Sequence, residues 1–203
     1  MTSSQYKVFV VDDDEAVRSA LAMLLTSAGY QVEAFTGSED FLETCTLDCE
    51  GCLVLDVSMP GMDGPALQQE LLRRSIYLPI IFLTGHGTIQ TSVRAIKAGA
   101  MDFLTKPVDG TKLLGCVQEA LQKGMEFRKQ AGEMADARQR LTTLTDRESE
   151  VMKQVIAGYT CKEIAQKLDI SHRTVEIHRA HVMEKTNTSN LAELARVYWI
   201  ANQ

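Results

Sequence analysis

Three short runs limit what this chain can fold into. VFVV at 8–11, CLVLDV at 52–57 and PIIFLT at 79–84 are apolar at nearly every position. A strand with one face in water alternates apolar with polar residues, so these runs are read as strands buried on both faces. QVEAF at 31–35 and MDFLT at 101–105 are read as a second and a fifth strand. Between them lie stretches of helical character: Ala16 to Ala28, stopped by Gly29; Ser38–Cys45; Pro65–Arg74; Ile89–Ala98, stopped by Gly99; and Asp109 to about Lys123. Buried strands separated by helices predict a five-stranded parallel sheet covered on both sides. Right-handed crossovers then make it a doubly wound α/β domain.

After that the chain changes character. Residues 123–140 are charged, contain several alanines and are poor in large apolar side chains. They read as an interdomain linker, either an extension of the preceding helix or a separate helical or flexible segment. Gly124 and Gly132 each cost about 1 kcal/mol in a helix, which predicts one that bends. Residues 141–203 read as helix. Thr145 with Glu148, Thr160 with Glu163 and Asn190 with Glu193 have capping-box spacing. In that motif a side-chain oxygen and a carboxylate three residues on satisfy the free N–H groups of a helix start. Ser171 is a fourth candidate cap. Four short helices are expected, at about 146–157, 161–168, 172–186 and 190–201, with Gly158 stopping the first. The expected domains are therefore 1–122 and 141–203, joined by 123–140.

No apolar run approaches the ~18 residues of a membrane span, and MTSSQYK lacks a signal peptide's apolar core, so a cytoplasmic chain with no membrane partner is expected. The net charge of −6 sits at the front: residues 1–121 carry sixteen Asp/Glu against eight Lys/Arg, and residues 141–203 carry eight of each. The back half lacks the strongly basic body that by itself marks a nucleic-acid binder, so DNA contact per chain should be weak. Of five cysteines, Cys45, Cys49 and Cys52 cluster. Without paired C-x-x-C units or a nearby His they read as reduced, partly buried thiols rather than a metal site. A redox-sensing role is the alternative.

In an open α/β sheet, ligands bind beyond the carboxyl ends of the strands. Polar residues lie at four such ends: Asp12 and Asp13 after the first strand, Asp56 on the third, Thr84 on the fourth and Lys106 after the fifth. An extended strand would send Asp12 and Asp13 to opposite faces, so the chain must turn there to bring both to one site. Carboxylates brought together raise one another's pKa, and a divalent cation removes the conflict. Mg2+ prefers oxygen ligands and often takes one or two carboxylates with waters and phosphate oxygens. A lysine and a hydroxyl at the same rim suit a phosphoryl group. The chemistry predicted is transfer of a phosphoryl group onto a carboxylate, with Asp56 as nucleophile because CLVL holds it rigidly at the sheet's centre. Asp14 and Glu15 are read as helix-start charges, and His86 as a loop residue.

VVDDDE, LVLDVSMPGMDG, IIFLTGHG and AGAMDFLTKP, in that order, resemble the receiver domain of two-component response regulators, from about Lys7 to Gln122. The resemblance implies a flavodoxin-like fold and Asp56 as phosphoacceptor. It implies Asp13, Asp56 and the Ser58 carbonyl as Mg2+ ligands, with Asp12 acting largely through water. Lys106 would pair with the phosphoryl group, Thr84 would bond to it, and Phe103 fits the aromatic switch. The implied donor is a phosphohistidine on a sensor histidine kinase, and the chain is not itself an enzyme. A haloacid-type phosphatase also uses a strand-end Asp, but needs a second Asp two residues on, where this chain has Ser58.

LTDRE, G-x-T-x-K-E-I-A, L-x-I-S, TVEIHR and LAEL resemble the LuxR-type helix-turn-helix domain of NarL/FixJ-class regulators, over nearly all of 141–203. Lys162 to Leu168 makes a short helix and Asp169-Ile170-Ser171 a tight turn. The next helix can enter a major groove with its N-terminal half. Val175, Val182 and Thr186 fall on its inward face; the family usually has a large apolar residue where Thr186 stands, so that end is expected to pack loosely. Arg173, His178, Arg179 and Lys185 offer phosphate contacts, which position without specifying. Lys162 and Thr174 complete the DNA-contact set. The resemblance places Glu176, Ile177 and Ala180 toward base edges, where Glu176 can accept from cytosine N4 and Ile177 can touch a thymine methyl. His178 and His181 lack a third ligand and read as groove or core residues. A helical domain that docks a protein partner is the alternative, which the neutral charge favours.

The combined reading is a transcription regulator switched by phosphorylation. Thr84 and Phe103 carry the change to the fourth helix and fifth strand. The FixJ-like resemblance implies a homodimer through Val93, Ile96, Lys97, Ala100 and Met101, and an activator acting on promoter DNA with RNA polymerase. Dimerisation would release the helix-turn-helix from the receiver or pair two of them on DNA.

Overall fold

The computed structural model describes residues 7–47, 49–85 and 99–203. Its contacts divide the chain into two units, Met1–Phe127 and Arg128–Gln203. In the first, β1 (Lys7–Val11), β2 (Gln31–Phe35), β3 (Gly51–Asp56), β4 (Ile80–Thr84) and β5 (Asp102–Thr105) form one parallel sheet in the order β2-β1-β3-β4-β5. α1 (Glu15–Ser27), α2 (Ser38–Thr44) and α3 (Gly64–Arg73) lie between the strands, and α4 (Gly110–Thr142) follows β5. The helix expected at 89–98 and His86 lie outside the described residues.

Strand periodicity explains the apolar runs. Val8 and Val10 of β1, Cys52 and Val54 of β3, and Ile81 and Leu83 of β4 pack with Leu21 and Leu25 of α1 and Leu113 and Val117 of α4. Their neighbours Phe9, Val11, Leu53, Leu55, Ile80 and Phe82 point the other way, onto Phe41 of α2 and Leu67 and Leu71 of α3. Each fully buried Val, Leu or Ile contributes about 1.5–3 kcal/mol, so a polar residue on either face of β3 would be costly. β2 is an edge strand, and its mixed burial matches QVEAF.

The region expected as a bending linker is helical throughout, inside the 33 residues of α4. Gly124 serves close packing instead. A Cβ there would lie 3.2 Å from Pro79 Cγ and 3.7 Å from the Gly51 carbonyl, so the missing side chain lets the helix approach the start of β3. No helix among the described residues is long and apolar enough to cross a membrane.

The second unit adds α5 (Asp146–Ile156), α6 (Cys161–Leu168), α7 (His172–Lys185) and α8 (Leu191–Ala201). Thr145 and Thr160 make complete capping boxes with Glu148 and Glu163. At α8 the box is divided: Asn190 accepts from the Glu193 N–H, while Glu193 reaches the Ser189 N–H at 2.7 Å. Val151, Val155, Ile164, Val175, Val182 and Leu194 form the core. The end of α7 is not loose. Thr186 is fully buried, and its hydroxyl donates to the Val182 carbonyl at 2.6 Å and meets the Thr188 hydroxyl at 2.9 Å. Its polar atom is satisfied locally, so it fills an apolar position without an orphaned hydroxyl.

Candidate functional site

β1 and β3 are central neighbours, and the strand order reverses between them. Their carboxyl ends diverge there and leave a crevice. The chain turns after Val11, as strand alternation required for Asp12 and Asp13 to reach one site. The Asp12 N–H donates to Phe35 O at 3.3 Å, the Asp14 N–H donates to Asp12 Oδ1 at 3.1 Å, and Arg18 Nη1 donates to the Asp12 carbonyl at 2.7 Å. Asp14 caps α1, accepting from Ala16 N and Val17 N. Arg18 was not singled out from the sequence; its signal is helical spacing, one turn beyond Asp14.

Asp12 is fully buried, Asp56 is buried and Asp13 is exposed, yet one oxygen of each lies within 4.8 Å of the others. Lys106 reaches in from beyond β5. Its Nζ is 2.6 Å from Asp12 Oδ2 and 3.2 Å from Asp56 Oδ2. The contact to Asp12 is an ion pair outside hydrogen-bond geometry, and Asp12 Oδ2 has no hydrogen-bond donor among the described residues. Burial pushes the Asp56 carboxyl above its ordinary range. Lys106 pulls it back, Asp12 raises it again, and the Ser58 backbone lowers it slightly; the net shift is upward. Burial also disfavours the Lys106 ammonium, but Asp12 and Asp56 outweigh it and its pKa rises.

Thr84 ends β4 and is buried, and Phe103 is half-buried against Phe82 with ring centroids 6.3 Å apart. The donor set fits a hard divalent cation: three carboxylates, one buried oxygen without a hydrogen bond, and one exposed acid at the mouth.

Val93, Ile96 and Lys97 of the expected dimer face lie outside the described residues. Ala100 does not belong to a surface: it is buried in the core with Phe82. Met101 is half-buried against the cluster on the other face of the sheet. Cys45 and Cys52 are buried free thiols and Cys49 is half-buried. Burial pushes the Cys52 thiol up to about 12 and raises Cys45 as well, which makes both poor nucleophiles.

In the second unit, Asp169 ends α6 in the left-handed conformation, with φ of 53°, and Ser171 caps α7 by accepting from Thr174 N at 3.0 Å. Val175 and Val182 face the core, while Arg173, Glu176, Ile177, Arg179 and Ala180 are exposed along the other side. Ile177 is 46% exposed. Lys162 is exposed at the start of α6. Thr174 is half-buried, its hydroxyl 2.7 Å from that of Ser171. His178 is half-buried, and its Nδ1 is buried with no hydrogen-bond partner among the described residues. Lys185 corrects the sequence reading: its Nζ sits 2.6 Å from Oε2 of buried Glu148, so it braces the domain. The same oxygen accepts from Thr145 N and Oγ1, at 2.8 and 3.0 Å. Lys185 first, and then Thr145, hold the Glu148 carboxyl down to about 2.

Residues 8–118 match the response regulator receiver domain family, and residues 142–198 match the luxR family of bacterial regulatory proteins. The chain is 41% identical over 190 residues to the response regulator protein TodT of Pseudomonas putida, covering 94% of this chain and 84% of TodT. It is 40% identical over 194 residues to the transcriptional regulatory protein FixJ of Rhizobium meliloti, covering 96% and 95%. The solved structure of the response regulator StyR is similar at 42% identity, with a TM-score of 0.88 over 96% of this chain and 98% of StyR. A receiver domain implies a histidine kinase partner, and a luxR-family domain implies DNA binding. The chain belongs to the response regulators of the NarL/FixJ class, in which a receiver domain is followed by a LuxR-type DNA-binding domain, and is a transcription regulator rather than an enzyme.

Proposed function

We propose that Asp56 accepts the phosphoryl group and that the modified receiver controls DNA binding through α7. The observation that carries this is the Lys106 ammonium, 3.2 Å from Asp56 where three carboxylates converge. An Asp56 oxygen attacks the phosphorus of a phosphohistidine. The O–P bond forms as the P–N bond breaks, and the imidazole nitrogen keeps the electron pair. Lys106 faces the phosphoryl oxygens, and the Ser58 backbone steadies the Asp56 carboxylate. Asp13, Asp56 and the Ser58 carbonyl would hold Mg2+, with Asp12 behind them; when bound it offsets charge on the transferring group. Thr84 and Phe103 then relay the change toward β5, and modified chains pair through the segment leading into β5, with Met101 at its end.

On DNA, Arg173 and Arg179 take phosphates, Lys162 and His178 support them, and Glu176, Ile177 and Ala180 meet base edges. Lys185 is left out because Glu148 occupies it. Two half-sites compensate for a neutral domain, and the dimer recruits RNA polymerase as an activator. The test combines Mg2+, a small phosphoryl donor and intact-mass measurement, then sedimentation and selection on genomic fragments. Expected are one phosphoryl group on wild type and none on Asp56→Asn, a dimer only when phosphorylated, and recovered sequences whose affinity falls with salt. A phosphorylated chain that stays monomeric and selects no DNA overturns the regulatory half.

A further inference from the structure

Among the described residues α2 makes no ion pair with the pocket carboxylates, yet it holds the backbone that leads away from Asp56. We propose that Ser38 and Glu39 are positioning residues that set the loop between β3 and α3 for phosphorylation. This rests on the reading of Asp56 as phosphoacceptor. Ser38 is fully buried, and its Oγ donates to the Met62 carbonyl at 2.8 Å. The Met62 N–H donates to Glu39 Oε1 at 3.3 Å. Two consecutive side chains of α2 thus take both polar backbone groups of one loop residue.

Ser and Glu in a first helical turn ordinarily serve their own helix. Here they do not: α2 begins at Gly37 with no side-chain cap, and both residues turn to the loop. Gly61 makes room for this. It has φ of +73°, and a Cβ there would lie 3.1 Å from Glu39 Oε1. The other end of the loop is tied to the sheet, where the Val57 N–H donates to Leu83 O at 2.9 Å and the Gly64 N–H to Val57 O at 3.1 Å. Ser58, two residues beyond Asp56 in the chain, lies between the two ties and is itself exposed. The course of the backbone that leaves Asp56 therefore depends on both ties. α2 is a firm base, because Phe41 and Leu42 are buried in the core.

The test uses the full chain with Mg2+ and acetyl phosphate. Phosphorylation rates are measured against donor concentration for wild type, Ser38→Ala, Glu39→Ala and Glu39→Gln, with melting temperatures and amide exchange at Ser58 and Met62. Glu39→Ala is expected to lower the maximal rate roughly tenfold, as loss of an outer partner of a reactive site does. Half-saturation and melting should stay close to wild type while the Met62 amide exchanges faster. Glu39→Gln keeps an acceptor oxygen and should restore both rate and protection; Ser38→Ala should resemble Glu39→Ala. Wild-type rates in Glu39→Ala, or a Gln variant as slow as Ala, overturn the positioning role. Uptake by wild type is the separate check: its absence removes the phosphoacceptor reading, whereas unchanged variants beside a reactive wild type sink the positioning role alone.

Discussion

Lys106 and Lys185 each place an ammonium 2.6 Å from a buried carboxylate, and the two sites behave oppositely. Around Glu148 one acid has three donors: the Lys185 ammonium and the N–H and hydroxyl of Thr145. Its pKa falls to about 2. Around Asp56 one lysine is divided between two buried acids, with a third acid at the mouth, and the Asp56 pKa rises. A satisfied acid braces a fold. An under-satisfied cluster retains demand for positive charge, which a cation and a phosphoryl-transfer reaction can meet.

The contrast is broken most strongly at the receiver. Asp13→Ala should abolish Mg2+-dependent phosphoryl uptake, read by intact mass, while the chain stays folded because Asp13 is exposed. Lys106→Met should slow uptake by roughly a hundredfold, the usual cost of losing one charge-stabilising donor, in the same assay. Glu148→Gln tests the other side. It should destabilise the second unit by about 2 kcal/mol at neutral pH, followed in urea by the fluorescence of Trp199, the sole tryptophan. The sign follows from the depressed pKa. The carboxylate's contribution is complete above its unfolded value of about 4.3 and fades as pH falls toward 2, so variant and wild type should converge there. Smallest is Asp14→Ala. Losing the α1 cap should cost about 1 kcal/mol in melting experiments and leave phosphoryl uptake intact.

Legibility followed the range of the interaction. The strands, most helix starts and the acids at the strand ends depend on residues a few positions apart. VFVV needs only period-two burial, and Thr145 with Glu148 only one helical turn. Thr186 misled because a polar residue at an apolar position signals looseness unless a carbonyl four residues back accepts from it. Gly124 misled because a glycine that bends a helix and one that lets it approach a neighbour look alike until Pro79 is placed against it. Lys185 read as a phosphate contact, but its partner Glu148 lies on another helix.

The sequence by itself determined which segments become buried strands and capped helices, and which acids stand at strand ends. Burial periodicity and capping are local, and their energies act on a few neighbouring residues. Only the tertiary structure decided that Lys106 lies between Asp12 and Asp56 and that Ser38 and Glu39 reach Met62. Those contacts depend on strand order and helix packing, which bring together groups far apart along the chain at distances no local pattern encodes.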